Sequence, residues 1–171
     1  MSEVNGVVVG LVTSVEDPEQ QGRVKVHFPW LDEGHETDWI RIATLMAGND
    51  RGSFFMPEVD DEVLVAFEHG EARFPYVIGF LWNGRDKPPG ANVRDRIFKS
   101  KNGHQIRFLD STPGSGDEGG IIVEDAHLNR ITLTNGQIKI QAVGVLVLEG
   151  ASVIINVAGV PRIVAPTGNP I

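Results

Sequence analysis

The stretch QIKIQAVGVLVLEGASVIINVAGV, Gln137 to Val160, most constrains what this chain can become, because only Lys139 and Glu149 in it are charged. Its apolar residues follow no helical spacing, so it reads as strand, and both faces of those strands need cover. Aligned at an offset of eight it gives QIKIQAVG, VLVLEGAS and VIINVAGV. Ile138, Leu146 and Ile154 then share one column, Ile140, Leu148 and Asn156 a second, and Ala142, Gly150 and Ala158 a third. Eight residues suit a strand of about five with a short corner, at about 3.3 Å per strand residue. Strands this poor in charge, with no helix to cover them, are an aggregation hazard unless their edges are closed. Cyclic association of several copies closes them, and three copies make a triangular β-prism. Lys139 and Glu149 lie at opposite parity to the first column and need water. Ile138, Ile140, Leu146, Leu148 and Ile154 are therefore the expected core between copies.

The rest of the chain is organised differently. Val7 to Thr13 is β-branched and apolar, and RVKVHF (Arg23 to Phe28) alternates polar with apolar at period 2. Between them EDPEQQG carries Asp17-Pro18 and Gly22, residues that make turns because proline fixes φ and glycine permits positive φ. Further strands are expected at DWIRIAT (Asp38 to Thr44), EVLVAFEH (Glu62 to His69) and YVIGFLWN (Tyr76 to Asn83). Five strands in so short a span suggest a small antiparallel barrel of the oligonucleotide/oligosaccharide-binding (OB) type over residues 1–84. Residues 85–98, within GRDKPPGANVRDR, are rich in Pro, Gly and charge and read as a linker. Residues 99–171 form the second, strand-rich part: HQIRFLD, the loop STPGSGDEGG, IIVED, RITLTNG and the tail. The fold class is all-β.

Composition excludes several chemistries. With no cysteine in 171 residues there is no disulfide framework and no thiolate zinc site. The net charge of −8 repels phosphate backbones, so nucleic acid is not an expected partner. MSEVNGVVVG has no basic stretch leading into an apolar segment of signal-peptide length, and no run approaches the roughly 18 apolar residues of a membrane span. The chain is expected to stay in the cytoplasm until it is assembled.

Four segments carry a resemblance to a known family: GLVTSVEDPEQQGRVKVHFPWL (Gly10 to Leu31), DWIRIATLMAG (Asp38 to Gly48), FMPEVDDEVLVAFEHGEARFPYVIGFLWN (Phe55 to Asn83) and KSKNGHQIRFLDSTPG (Lys99 to Gly114). In these the chain resembles the phage baseplate assembly protein V type of spike, related to the VgrG spikes of type VI secretion systems. The resemblance implies an OB barrel followed by an intertwined trimeric β-helix that forms an envelope-piercing needle, with no enzymatic activity and no cofactor. It implies a homotrimer on a baseplate hub, at the tail baseplate of a virion or in an injection-system particle. No hub domain precedes the barrel and no lysozyme domain follows it, so the hub is expected to be another chain. Asp60 departs from the family, which usually has glycine there.

Some family members end the needle around a metal held by an HxH motif. PRIVAPTGNPI contains no histidine. The resemblance then implies a separate PAAR-repeat tip protein, seated on Ile163, Val164, Pro170 and Ile171. The alternative function is a tail-associated β-helical protein that binds or cleaves envelope polysaccharide.

Other candidate residues give weaker signals. Arg23, Lys25, His27, Phe28 and Trp30 could stack bases beside a basic groove, but the acidic balance favours core and rim roles. His27, His35, His69, His104 and His127 form no HxH or HExxH pair, and no metal site is expected. Glu62 with Glu68, or Asp60 with Asp61, could be paired as in glycoside hydrolysis. Their places at strand edges and turns read better as a solvated rim.

Overall fold

The computed structural model describes residue 4 and residues 6–31, 34–111, 119–157 and 160–164. The described residues are strands and loops with one short 3-10 turn. The chain divides into two compact units, Met1–Pro88 and Pro89–Ile171.

In the first unit the strands are β1 (Val7–Ser14), β2 (Lys25–His27), β3 (Arg41–Ile42), β4 (Ala47–Gly48), β5 (Arg51–Gly52), β6 (Glu62–Phe67) and β7 (Pro75–Phe80). One sheet runs in the order β2-β1-β6-β7-β3, with β3 parallel to β7 and the other neighbours antiparallel. Val24 and Ile40 exchange backbone hydrogen bonds of 3.0 and 2.8 Å, which join the two ends of the sheet and close it into a barrel. The interior is Val12, Val24, Val26, Phe28, Ile40, Val63, Val65 and Val77. Branched side chains fill a narrow barrel well, because their single preferred rotamer stands off the pleated surface. Each fully buried valine contributes about 1.5 kcal/mol or more from apolar burial.

The β1–β2 turn is built on one carboxylate. Asp17 accepts from the backbone N–H of Glu19 at 3.1 Å and Gln21 at 2.9 Å, and from Arg23 Nε at 3.0 Å and Nη2 at 2.7 Å. The Arg23 guanidinium, followed by those backbone donors, holds the Asp17 carboxyl far below the usual carboxylate range. The β4–β5 hairpin was not expected from the sequence, since two-residue strands leave no room for an alternating pattern. Likewise β3 covers only Arg41 and Ile42 of the seven residues expected there.

Asp60, where the family it resembles usually has glycine, sits at φ 75 in the turn just before β6. Its N–H donates to the Val12 carbonyl at 2.8 Å, so the turn is fixed from both sides. This left-handed conformation costs an L-residue with a side chain about 1 kcal/mol relative to glycine. Asp60→Gly should therefore raise the urea midpoint, by about 0.5–1 kcal/mol in stability. A lower midpoint would mean that the Asp60 side chain makes a stabilising contact.

The second unit holds β8 (Asp95–Lys99), β9 (Gln105–Leu109), β10 (Gly120–Glu124), β11 (Arg130–Thr134) and β12 (Gln137–Gln141), joined in chain order as an antiparallel meander. A separate hairpin pairs β13 (Val153–Val157) with β14 (Val160–Val164). Four residues of β8 fall inside the expected linker 85–98. Their charges are paired across the sheet, Arg96 with Asp110 and Asp95 with Arg107, so they belong to a ladder that composition had disguised. The expected middle repeat, VLVLEGAS, forms no strand: Val143 to Ser152 runs without a ladder between β12 and β13. Seven of the ten residues of the STPGSGDEGG loop, and Pro170 and Ile171, lie outside the described residues. Ile163 and Val164 lie on β14.

Candidate interaction surface

The second sheet has two chemically distinct faces, set by strand alternation and register. On one face Phe108, Ile121, Leu133 and Ile138 stand opposite one another on β9 to β12, with Arg96 on β8 at the head of the row. The next row on that face is Phe98, Ile106, Val123, Ile131 and Ile140. On the other face Arg107, Ile122, Thr132 and Lys139 line up, beside Gln105, Glu124, Arg130 and Gln141. There Glu124 accepts from Gln105 Nε2 at 2.9 Å and from Arg130, and these two bonds hold its carboxyl below the usual range. One face of the sheet is thus mixed, with paired charges, an unpartnered Arg107 Nε and the side chains of Ile97, Leu109 and Ile122, and the other is a bare apolar stripe.

The stripe is left uncovered by the described residues. Its side chains range from Leu133 at 37% exposed to Ile138 at 70%, and no described residue of the unit is buried. Nine such side chains expose on the order of 800 Å² of apolar surface, above the 300–600 Å² patch of an ordinary monomer and equal to one partner's share of a specific interface. Covering it would gain about 20 kcal/mol gross per copy before the costs of association.

Of the residues expected to pack between copies, Ile138 and Ile140 stand side by side on the stripe, with Lys139 on the mixed face between them. Leu146 lies beside the stripe, lining with Val123, Ile131 and Ile140 a shallow groove of about 360 Å³. The structure does not bring Leu148 or Ile154 onto the sheet; Ile154 is paired with Ile163 in the hairpin. Phe98, Ile106, Phe108, Ile121, Val123, Ile131 and Leu133 were missed by sequence reasoning. The period-2 alternation of RIFK, QIRFL and RITLT was the signal that could have found them.

The barrel's candidate groups are engaged with one another. Arg23 pairs with Asp17 and Glu19, and Lys25 pairs with Glu36 at 2.6 Å and lies over the Trp39 ring. Phe28 is core, and the Trp30 ring packs on it at 5.9 Å. His27 Nδ1 lies 3.1 Å from the His35 carbonyl. Glu62 accepts from Asn83, Glu68 from the Tyr76 hydroxyl, and Asp61 from the Glu58 N–H. Among the described residues no three His, Asp or Glu side chains gather as metal ligands. None of their helices is long and apolar enough to cross a membrane.

A closed five-stranded barrel of this order is of the OB type. Residues 8–82 match the family model of the Type VI secretion system/phage-baseplate injector OB domain. Over 106 residues the chain is 32% identical to the Type VI secretion system spike protein VgrG2a of Pseudomonas aeruginosa, covering 55% of this chain and 13% of that protein. It is 32% identical over 126 residues to spike protein VgrG5 of the same organism, covering 70% of this chain and 15% of the relative. It is also 32% identical over 95 residues to the Actin cross-linking toxin VgrG1 of Vibrio cholerae, covering 51% of this chain and 9% of that one. The barrel belongs to the injector OB-domain family, and the chain is a VgrG-like baseplate or spike protein. It spans less than a sixth of the length of these curated relatives.

Proposed function

We propose that the chain is the central spike of a contractile phage tail or related injection system, working as a homotrimer in which the second unit forms a trimeric β-helix needle. The observation that carries this reading is the bare apolar stripe, found in the same chain as an injector OB barrel. Three copies turning their stripes inward would bury them around a common axis, with Ile138 and Ile140 in the core and Leu146, Leu148 and Ile154 continuing it. The work is mechanical and involves no catalytic step. Sheath contraction drives the spike through the target envelope, and strand ladders lying across the axis resist axial load because their hydrogen bonds must be sheared together. The implied partners are a baseplate hub protein, bound through the barrels, and a PAAR-repeat tip protein at Ile163, Val164, Pro170 and Ile171. Light scattering on the purified chain should give three copies of 18.6 kDa, about 56 kDa. A chain that stays at 18.6 kDa across micromolar concentrations overturns the reading.

A further inference from the structure

The barrel carries aromatic side chains that its interior does not use. Ile40 and Val77 belong to the core, so Trp39 and Arg41 on one segment, and Phe74 and Tyr76 on the other, stand outward at the alternate positions. β3 runs parallel to β7 with Arg41 opposite Tyr76, which brings the two sets together. Between them lies a cleft of about 260 Å³, lined by these four residues together with Asp38 and Arg73. A site that encloses a whole small molecule has roughly 300–1,000 Å³, so this cleft suits a ring or two of a chain that continues outside it.

Each of the three rings is held by a cation. Lys25 Nζ lies 5.5 Å from the centre of the Trp39 ring, the Arg73 guanidinium 5.5 Å from that of Phe74, and the Arg41 guanidinium 4.7 Å from that of Tyr76. Arg41 also donates to the Tyr76 hydroxyl at 2.6 Å, and that hydroxyl donates to the Glu68 carboxylate. The guanidinium is therefore stacked and tethered at once, and the tether uses one of its five N–H donors. Charge in the cleft is balanced: Arg73 pairs with Glu71 at 3.0 Å, and Asp38 offsets Arg41. A phosphate chain needs a basic groove to follow. A neutral sugar needs an apolar ring for its C–H face and a donor and an acceptor side by side for its hydroxyls.

We propose that this cleft binds a neutral oligosaccharide, with a sugar ring laid on Phe74 and Trp39 and its hydroxyls taken by the Arg41 guanidinium and the Asp38 carboxylate. OB barrels bind oligosaccharides and oligonucleotides on the face of their second and third strands, beside the loop that joins the fourth and fifth. With the β4–β5 hairpin set aside, those parts are β2, β3 and the β6–β7 connection here, and they supply Lys25, Arg41 and Phe74. The net charge of −8 and the balanced cleft select the sugar over the nucleic acid. Because the rings and Arg41 are already fixed, little conformational freedom is lost on binding. The proposal stands apart from the spike reading, which rests on the stripe of the second unit and asks nothing of this cleft.

A printed array of neutral and acidic bacterial oligosaccharides, probed with the purified full-length chain, should retain it on neutral saccharides. Titration calorimetry with the best-retained saccharide then reads the variants. Phe74→Ala removes a ring that is 48% exposed, so the barrel should stand while binding weakens about fivefold. Phe74→Trp keeps a stacking face and should keep the affinity. Arg41→Lys retains the charge but loses the planar fork, and should weaken binding about tenfold. Phe54→Ala removes a ring that is 78% exposed elsewhere on the barrel and should change nothing. Circular dichroism verifies the fold of each variant, and the Phe74 pair carries the test should Arg41→Lys misfold. Retention of no neutral saccharide, or tighter binding of a thymidine oligonucleotide, would overturn the proposal. Equal affinities for Phe74→Ala, Phe74→Trp and the unaltered chain would place the sugar elsewhere and overturn it too. Each of these results leaves the trimer measured by light scattering untouched, so the spike reading stands or falls separately.

Discussion

Ile131→Asp should leave the chain monomeric, whereas Thr132→Asp, one residue further along β11, should leave its association intact. The two positions share a backbone and a propensity for strand, and they differ in the face they occupy. Ile131 sits in the middle of the stripe, opposite Val123 on one side and Ile140 on the other. A carboxylate there would be carried into an apolar interior with no cation in its row. The cost is several kcal/mol per copy, and symmetry repeats it in every copy. Thr132 stands between Ile122 and Lys139 on the mixed face, where a carboxylate gains a cross-strand ammonium and stays in water. Since Ile131 is 41% exposed in the single copy, its replacement should leave the sheet's circular dichroism unchanged. Sedimentation velocity on both variants checks the ranking. If Thr132→Asp dissociates the assembly and Ile131→Asp does not, the mixed face is the one that meets the other copies.

The largest effect on the barrel should come from Gly10→Val. Gly10 lies inside the barrel on β1, and a Cβ there would stand 2.3 Å from Val26 Cγ1 and 3.2 Å from the His27 carbonyl oxygen. Val26 is fully buried and the carbonyl belongs to the backbone of β2, so neither can move aside freely. Overpacking of this kind costs about 1–3 kcal/mol or more, a large share of what holds a small domain together. Gly79→Ala on β7 is the control. A Cβ at Gly79 meets nothing within 4 Å, so its urea midpoint should move little while that of Gly10→Val falls or the variant fails to accumulate. Equal midpoints for the two would mean that β1 and β2 can separate without loss.

How much of this was legible in the sequence differs between the two units. The longer barrel strands announced themselves as β-branched or alternating runs, and the turn after the first is marked by Asp17, Pro18 and Gly22, whereas the two-residue strands β4 and β5 carry no such signal. The closure of the barrel through Val24 and Ile40 joins residues that no local pattern links. In the second unit Ile138 and Ile140 were found because the charge-poor tail drew attention to them. Phe98 was missed because Pro88, Pro89, Arg94, Asp95 and Arg96 gave β8 the look of a linker. Charges that are paired across a ladder are indistinguishable, in one dimension, from charges in solvent. Leu148 and Ile154 share columns with Ile140 and Ile138 in the repeat, but a repeat specifies spacing and leaves open the ladder that each copy joins.

The meander order of β8 to β12 also bears on how the protein comes to be folded. Every ladder in that sheet joins neighbours in the chain, so its loops close cheaply and early, whereas β1 of the barrel has to wait for β6, some fifty residues on. If the copies meet as proposed, the sheet forms before anything covers its stripe. The slow event is then an encounter between molecules, which quickens with concentration where the closure of a barrel would not. Dilution would lengthen the time each sheet spends exposed, and crowding on one ribosome-rich messenger would shorten it.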